Sequence, residues 1–333
     1  MTSIPVIDLN GYYGGDFEAR QALGRQIDTA CRDTGFFTVK GHRIPDALAA
    51  GLIGVAQAFF AFPVEEKLQY RAPPDTQLRG YSPFQAHRLA RSRGVETPPD
   101  LREVFSVGRP QLAPDHPVAD PDARAFYRPC IWPDQPAAFR AIYTRYYELV
   151  DALARDLMRL FALGLGLPES YFDSRIDDHF AALNTFHYPA QTAAPQAGQL
   201  RAGEHSDFGS LTILLQSPDA GGLEVMGMDG AWHYLAPQPG HLVINIGDLM
   251  AQWTNDRWRS TLHRVVNPPG EPVSRRSRIS VGFFCHPNFE TMIECIPTCR
   301  SADGSSRYEP VKAGTYMRRK ILAVRMPQAS AAA

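Results

Sequence analysis

Cysteine is sparse and unpaired in this chain: Cys31, Cys130, Cys285, Cys295 and Cys299 are scattered and odd in number over 333 residues. That excludes a disulfide-stapled scaffold and favours a reducing compartment. Cys295 and Cys299 stand close enough to suggest half of a zinc site, but no second Cys/His pair follows them, so structural or free thiols are expected. Charge of one sign is also missing. With 34 basic residues against 35 acidic ones, neither nucleic acid nor an acidic membrane is expected as a partner. The N-terminus, Met1-Thr2-Ser3-Ile4-Pro5, shows no basic leader and no long apolar run, so a cytoplasmic location is expected. Gly209-Ser210 lacks a G-x-S-x-G elbow and no Gly-rich phosphate loop occurs, which leaves nucleophilic hydrolysis without support.

The length permits one large domain or two lobes. Helical spacing runs over residues 17–34, 45–62 and 139–165, the last with Ile142, Tyr146, Leu149, Leu153, Leu157 and Leu160 at three- or four-residue steps. Residues 83–136 are dense in proline and charge and read as an irregular connection, and residues 219–230 read as glycine-rich turns. Apolar β-like runs cover 210–216, 242–246 and 278–285. A late helix should include residues 314–322, with Arg318, Arg319 and Lys320 as a solvated face or as a cover for an active-site mouth. The Ala-rich end, 330–333, should fray.

Chemistry enters with His205-Ser206-Asp207, then His263, then Arg278-Ile279-Ser280. A lone H-x-D is common by chance. Here the pair is followed in order by two apolar runs, a further histidine and an arginine-led strand. In extended chain, His205 and Asp207 point to one side while Ser206 turns away. Two imidazoles and one carboxylate on one face of a metal leave the opposite face open, as in non-haem Fe(II) oxygenases. In the last run, Ile279, Val281, Phe283 and Cys285 should pack outward, and Arg278, Ser280, Gly282 and Phe284 should line the interior. An arginine buried there is costly without an anion.

The chain resembles, over nearly its whole length, the 2-oxoglutarate-dependent dioxygenases of the isopenicillin N synthase-like family. The resemblance rests on Ile4-Pro5-Val6-Ile7-Asp8-Leu9, Gly35-Phe36-Phe37-Thr38-Val39-Lys40-Gly41-His42, Arg79-Gly80-Tyr81, Asp100-Leu101-Arg102-Glu103-Val104-Phe105 and Tyr188-Pro189. Gly221-Gly222-Leu223-Glu224-Val225, Trp232 and the stretch from Pro239-Gly240 to Gly247-Asp248 continue it. It implies an α+β fold, mainly β at its core: a double-stranded β-helix, or jelly roll, flanked by helices. The expected division is an α-rich lobe over 1–115, a connecting and helical support segment over 116–176, and the jelly-roll core with a C-terminal helix over 177–333.

The resemblance further implies that His205, Asp207 and His263 bind Fe(II), and that Arg278, Ser280 and Tyr188 hold the distal carboxylate of 2-oxoglutarate. A planar guanidinium suits a carboxylate bidentately on independent grounds. Where the family often has Asn two residues before that tyrosine, this chain has Phe186, with Asn184 two positions further upstream. The implied reaction takes O2 and decarboxylates 2-oxoglutarate to succinate and CO2 while hydroxylating, desaturating or cyclising a small metabolite. Two alternatives stay open: an Fe(II) oxidase that dispenses with 2-oxoglutarate, and a catalytically silent jelly-roll binding module. High Ala, Arg and Pro usage points to a GC-rich bacterial genome and to secondary metabolism.

His42, His187, His233, His241 and His286 are expected in packing or surface roles. For the substrate, the basic run His87-Arg88-Leu89-Ala90-Arg91-Ser92-Arg93 should fold over the active-site mouth, with Arg88, Arg91 or Arg93 on an anionic group. Phe208 and Phe284 are the candidate apolar contacts.

Overall fold

The alternation of apolar side chains becomes two sheets in the computed structural model, which describes residues 4–71, 78–113, 115–118, 120–191, 193–218, 221–267 and 276–324. The Ala-rich end and the first part of the 219–230 turns lie outside the described residues. The chain begins β1 (Val6–Asp8), α1 (Asn10–Gly14), α2 (Phe17–Asp33), β2 (Phe36–Lys40), α3 (Asp46–Phe60), α4 (Val64–Leu68), β3 (Gly80–Ser82), β4 (Glu103–Val107) and α5 (Phe139–Gly164). The strands β5 (Ala182–Tyr188), β6 (Ala202–His205), β7 (Leu211–Gln216), β8 (Leu223–Met226), β9 (Trp232–Tyr234) and β10 (Leu242–Ile246) follow. Then come α6 (Asp248–Trp253), β11 (His263–Val265), β12 (Arg278–Cys285), β13 (Met292–Ile293), β14 (Val311–Lys312) and α7 (Ala313–Val324).

One sheet has eight strands in the order β1-β2-β10-β7-β12-β5-β4-β3, and the second has four, β6-β11-β8-β9. Their facing sides share an inner core in which Phe36, Val104, Phe186 and Val243 of the large sheet meet Leu223, Val225 and Val265 of the small one. This is the jelly roll. The outer side of the large sheet, with Ile213, Ile244, Ile279, Val281 and Phe283, packs on the helices. The predicted alternation along β12 therefore holds, with Phe284 on the inner side.

The longest support is α5, whose buried stripe includes Phe139, Tyr143, Tyr146, Val150, Leu153, Leu157 and Leu160. Each such side chain contributes about 1.5–3 kcal/mol on burial. Against it lies α2, begun by the Asp16 carboxylate accepting the Ala19 N–H at 2.9 Å. The two helices touch at Gly24, where a Cβ would come within 2.8 Å of the Gly164 nitrogen, so only glycine permits the crossing.

The sequence reading of 83–136 as irregular needs correction. It contains β4, paired with both β3 and β5. The strand is masked by its first residue, Glu103, which is buried but fully partnered: Oε2 accepts the Lys67 ammonium at 2.8 Å and the Tyr81 hydroxyl, and Oε1 meets Nδ1 of His187 at 2.7 Å. His187, expected in a packing role, thus sits on a buried carboxylate and stacks on Phe60.

Candidate metal centre and active site

His205 closes β6 and His263 opens β11, and these two residues are directly paired across the small sheet. Asp207 lies just past the end of β6. Its Oδ1 is 3.8 Å from Nε2 of His205 and 3.7 Å from Nε2 of His263, and one donor atom from each of the three residues lies within 4.8 Å of the others. All three are buried. Because β6 ends at His205, strand alternation does not carry on to Ser206, which stands on the cavity wall rather than turned away.

Each ligand atom is oriented from behind. Nδ1 of His205 is held at 2.8 Å by the Gly203 carbonyl, and Nδ1 of His263 at 3.2 Å by the Thr261 carbonyl, which leaves both Nε2 atoms facing Asp207. Oδ2 of Asp207 accepts Thr212 Oγ1 at 2.6 Å and Asn245 Nδ2 at 2.7 Å, so Oδ1 is left for a metal. Gly203 is itself fixed by Asp100, whose carboxylate takes its N–H at 2.9 Å. Burial, then neighbouring His263, depresses the His205 imidazole to about 3, keeping it neutral as a ligand must be. Burial acts to raise the Asp207 carboxyl, yet His263, His205, Asn245 and Thr212 outweigh it and hold the group below its ordinary value. Two imidazoles and one carboxylate fit Fe(II). Asp100 and Asn245 fall inside segments that carry the resemblance, but their supporting roles, like that of Thr212, become visible only through these bonds.

Arg278 begins β12 opposite Tyr188 at the end of β5. Its side chain is 1% exposed, with the guanidinium 4.8 Å from the Tyr188 ring centre. It donates to Ser280 Oγ at 3.3 Å and to Gln216 Oε1 at 3.2 Å. Burial lowers its pKa, opposed by Tyr188. Arg201, also buried, is drawn down to about 10 by burial and by the charge of Arg278. Two guanidiniums thus share this interior, although nothing in the sequence marked Arg201 or Gln216.

Beside the triad opens a cavity of about 170 Å³. His205 and Asp207 reach it, Phe208 and Phe284 form part of its apolar wall, and Met317, Ile321 and Val324 of α7 roof it. The basic residues of α7 divide: Lys320 turns in to Asp248 at 3.0 Å, while Arg318 reaches out towards Asp122. Asn184 and Phe186 both line the cavity. His286, expected in a packing or surface role, is on this wall too, and burial lowers it to about 3.

The basic run is placed differently from the expectation. Arg88 and Arg91 pair with Glu96 at 3.2 and 2.9 Å, and Arg93 pairs with Glu204 at 3.2 Å. The 3-10 helix over Leu89–Arg93 turns these guanidiniums outward and presents Leu89 to the cavity instead. Among the described residues, the cavity-facing guanidiniums are Arg79 and Arg102.

Comparison with known proteins agrees with this geometry. A family model described as non-haem dioxygenase in morphine synthesis N-terminal matches residues 4–135, and the 2OG-Fe(II) oxygenase superfamily model matches residues 179–287. A 2-oxoglutarate-Fe(II) type oxidoreductase of Emericella nidulans is 34% identical over 315 residues, 93% of this chain and 87% of that one. Homoarginine-6-hydroxylase of Oryza sativa subsp. japonica is 34% identical over 333 residues, 96% of this chain and 97% of that one. Among solved structures, a full-length Neurospora crassa protein in complex with alpha-KG and thymine superposes with TM-score 0.82 at 31% identity, covering 96% of each chain. These matches support the 2-oxoglutarate-dependent oxygenase over the two alternatives. The chain belongs to the 2OG-Fe(II) oxygenase superfamily, in its isopenicillin N synthase-like branch.

Proposed function

We propose that His205, Asp207 and His263 hold the Fe(II) of this 2-oxoglutarate-dependent dioxygenase, and that Arg278, Ser280 and Tyr188 hold the distal carboxylate of 2-oxoglutarate. The observation that carries the assignment is the single free oxygen of Asp207, aimed between two oriented Nε2 atoms. Bound Fe(II), with 2-oxoglutarate and O2, supplies the oxidation of a small metabolite and releases succinate and CO2. The protein's residues do the rest. Asn245 and Thr212 keep Asp207 from rotating, the Gly203 and Thr261 carbonyls fix both imidazoles, and Arg278 orients the co-substrate along the interior.

Phe208 and Phe284 pack the substrate, and α7 keeps water from it. The homoarginine and thymine named for relatives set the scale of that substrate as a small metabolite. Residues 177–333 supply the metal and co-substrate groups in this reading, and residues 1–115 supply part of the substrate wall. A cytoplasmic enzyme without nucleic-acid or membrane partners is favoured by the charge balance and the free cysteines, and no helix among the described residues is long and apolar enough to cross a membrane. The test is succinate release by purified protein given Fe(II), 2-oxoglutarate and O2 with fractionated metabolite pools. Release that persists at the parent rate in both His263→Ala and Arg278→Gln would overturn the residue assignment.

A further inference from the structure

The cavity above the proposed metal centre carries positive charge that the protein answers only in part. Arg102, just ahead of β4, is 6% exposed and lies 4.7 Å over the ring of Phe186. Its Nε is buried with no hydrogen-bond partner among the described residues. The carboxylate it faces, Asp100, is 3.8 Å away, beyond hydrogen-bond reach. That carboxylate is already occupied by the N–H groups of Leu89 and Gly203. Arg79, on the same wall, gives its two terminal nitrogens to the carbonyls of Leu78 and Phe126, and its Nε is likewise buried and without a partner among the described residues. Against these two guanidiniums, Asp207 is the single carboxylate on the described wall, and its oxygens are taken by Thr212, Asn245 and the metal position.

A buried guanidinium whose nearest carboxylate is out of hydrogen-bond reach is costly, and a ligand that supplies a bonded carboxylate gains accordingly. The wall also offers Asn184, whose side-chain oxygen is buried and unpartnered. Phe126, Phe180, Phe208 and Phe284 make the remainder largely apolar. We propose that the primary substrate is a small organic acid whose carboxylate pairs with Arg102 while its apolar body lies against these phenylalanines. A guanidinium fork matches the two oxygens of a carboxylate. A phosphate ester would set its larger charge against Arg102 alone, since the terminal nitrogens of Arg79 are taken and no lysine lines the described wall. This inference rests on the 2-oxoglutarate-dependent reading and goes beyond it, because Arg102 belongs to neither the triad nor the Arg278 site.

The experiment is anaerobic calorimetry on the full chain loaded with Fe(II) and saturating 2-oxoglutarate, so that the Arg278 site is filled and no turnover occurs. The probes are phenylacetate and hexanoate, their amides, and phenyl phosphate. Both acids should bind at least about tenfold more tightly than their amides, as loss of a charge-assisted contact implies. Arg102→Gln should abolish that preference, and Arg102→Lys should restore part of it. Equal binding of acids and amides, no binding of either acid, tighter binding of phenyl phosphate, or an acid preference that survives in Arg102→Gln each overturns the proposal. If Arg102→Gln does not fold, the parent titration and Arg102→Lys still decide. Failure of the underlying reading shows separately, as absence of 2-oxoglutarate binding to the Fe(II)-loaded parent before any probe is added.

Discussion

Lys320 Nζ lies 3.0 Å from Oδ2 of Asp248 and so fastens the C-terminal helix to the residue that begins α6. The same Asp248 donates its N–H to the Asp207 carbonyl at 2.7 Å and accepts Ser260 Oγ at 2.7 Å and the Tyr316 hydroxyl at 3.1 Å. One residue therefore joins the roof of the cavity to the backbone of a proposed metal ligand. Lys320 is about one-quarter exposed, so the ion pair alone is worth no more than about 1 kcal/mol. Lys320→Met should leave global stability nearly unchanged but speed local opening of α7 by up to about fivefold. Limited proteolysis within 313–324 reads this, and an unchanged cleavage rate would show that Met317, Ile321 and Val324 hold the helix without the latch.

Asp207 is held by its outer oxygen, which makes Asn245 a sensitive position. Asn245→Ala removes one of the two bonds to Oδ2 and frees the carboxylate to rotate. Loss of such a supporting contact typically costs about 10- to 100-fold in metal affinity. His263→Ala, which removes a ligand outright, should reduce iron retention further. Iron content after dialysis against graded chelator measures both, and parent-like retention in His263→Ala would rule out the assigned triad.

Arg278→Gln should raise the 2-oxoglutarate concentration needed for half-maximal succinate release by more than about tenfold, because a charge-assisted carboxylate contact contributes about 1.5–3 kcal/mol. Arg201 lies close enough for its charge to act on Arg278, and a residual co-substrate affinity in Arg278→Gln should fall again in the double variant with Arg201→Gln. An Arg278→Gln enzyme with parent affinity would move the anchor elsewhere.

The sequence made the proposed metal centre readable because its candidate ligands are rare residue types in a fixed order along the chain. The face of β12 bearing Arg278 and Ser280 follows from the strand's period of two, while His205 and His263 meet through pairing of β6 with β11. The substrate side was less readable for a physical reason. Arg88 and Arg91 find Glu96 a few residues on, but Arg93 finds Glu204 only through folding, 111 residues away. Arg102 lies in a segment that carries the resemblance, but nothing there marks it as buried, and its burial depends on β4 joining the sheet beside β5. Local sequence reports charge; long-range pairing decides which charges remain unanswered.

The buried Glu103 network gives a pH-dependent test of that pairing. Burial alone would raise the Glu103 carboxyl, but hydrogen bonds from His187, Lys67 and Tyr81 outweigh it, and its folded-state pKa lies below the ordinary value. A depressed carboxylate contributes stability that is present above its unfolded pKa of about 4.3 and is lost as pH falls through the lower folded value. Glu103→Gln should therefore destabilise the protein at pH 7, where it leaves the Lys67 ammonium buried without its carboxylate. Breaking one side of a buried pair typically costs about 3–5 kcal/mol. The gap between parent and variant should narrow as pH drops below about 4, since the parent then loses the same charge. Adding Lys67→Met to Glu103→Gln should recover part of the loss, because removing both charges is far cheaper than stranding one. Urea unfolding from pH 7 down to pH 3.5 provides the measurement. A gap that stays constant with pH, or a double variant no more stable than Glu103→Gln, would mean that Glu103 acts through packing in β4 rather than through its charge.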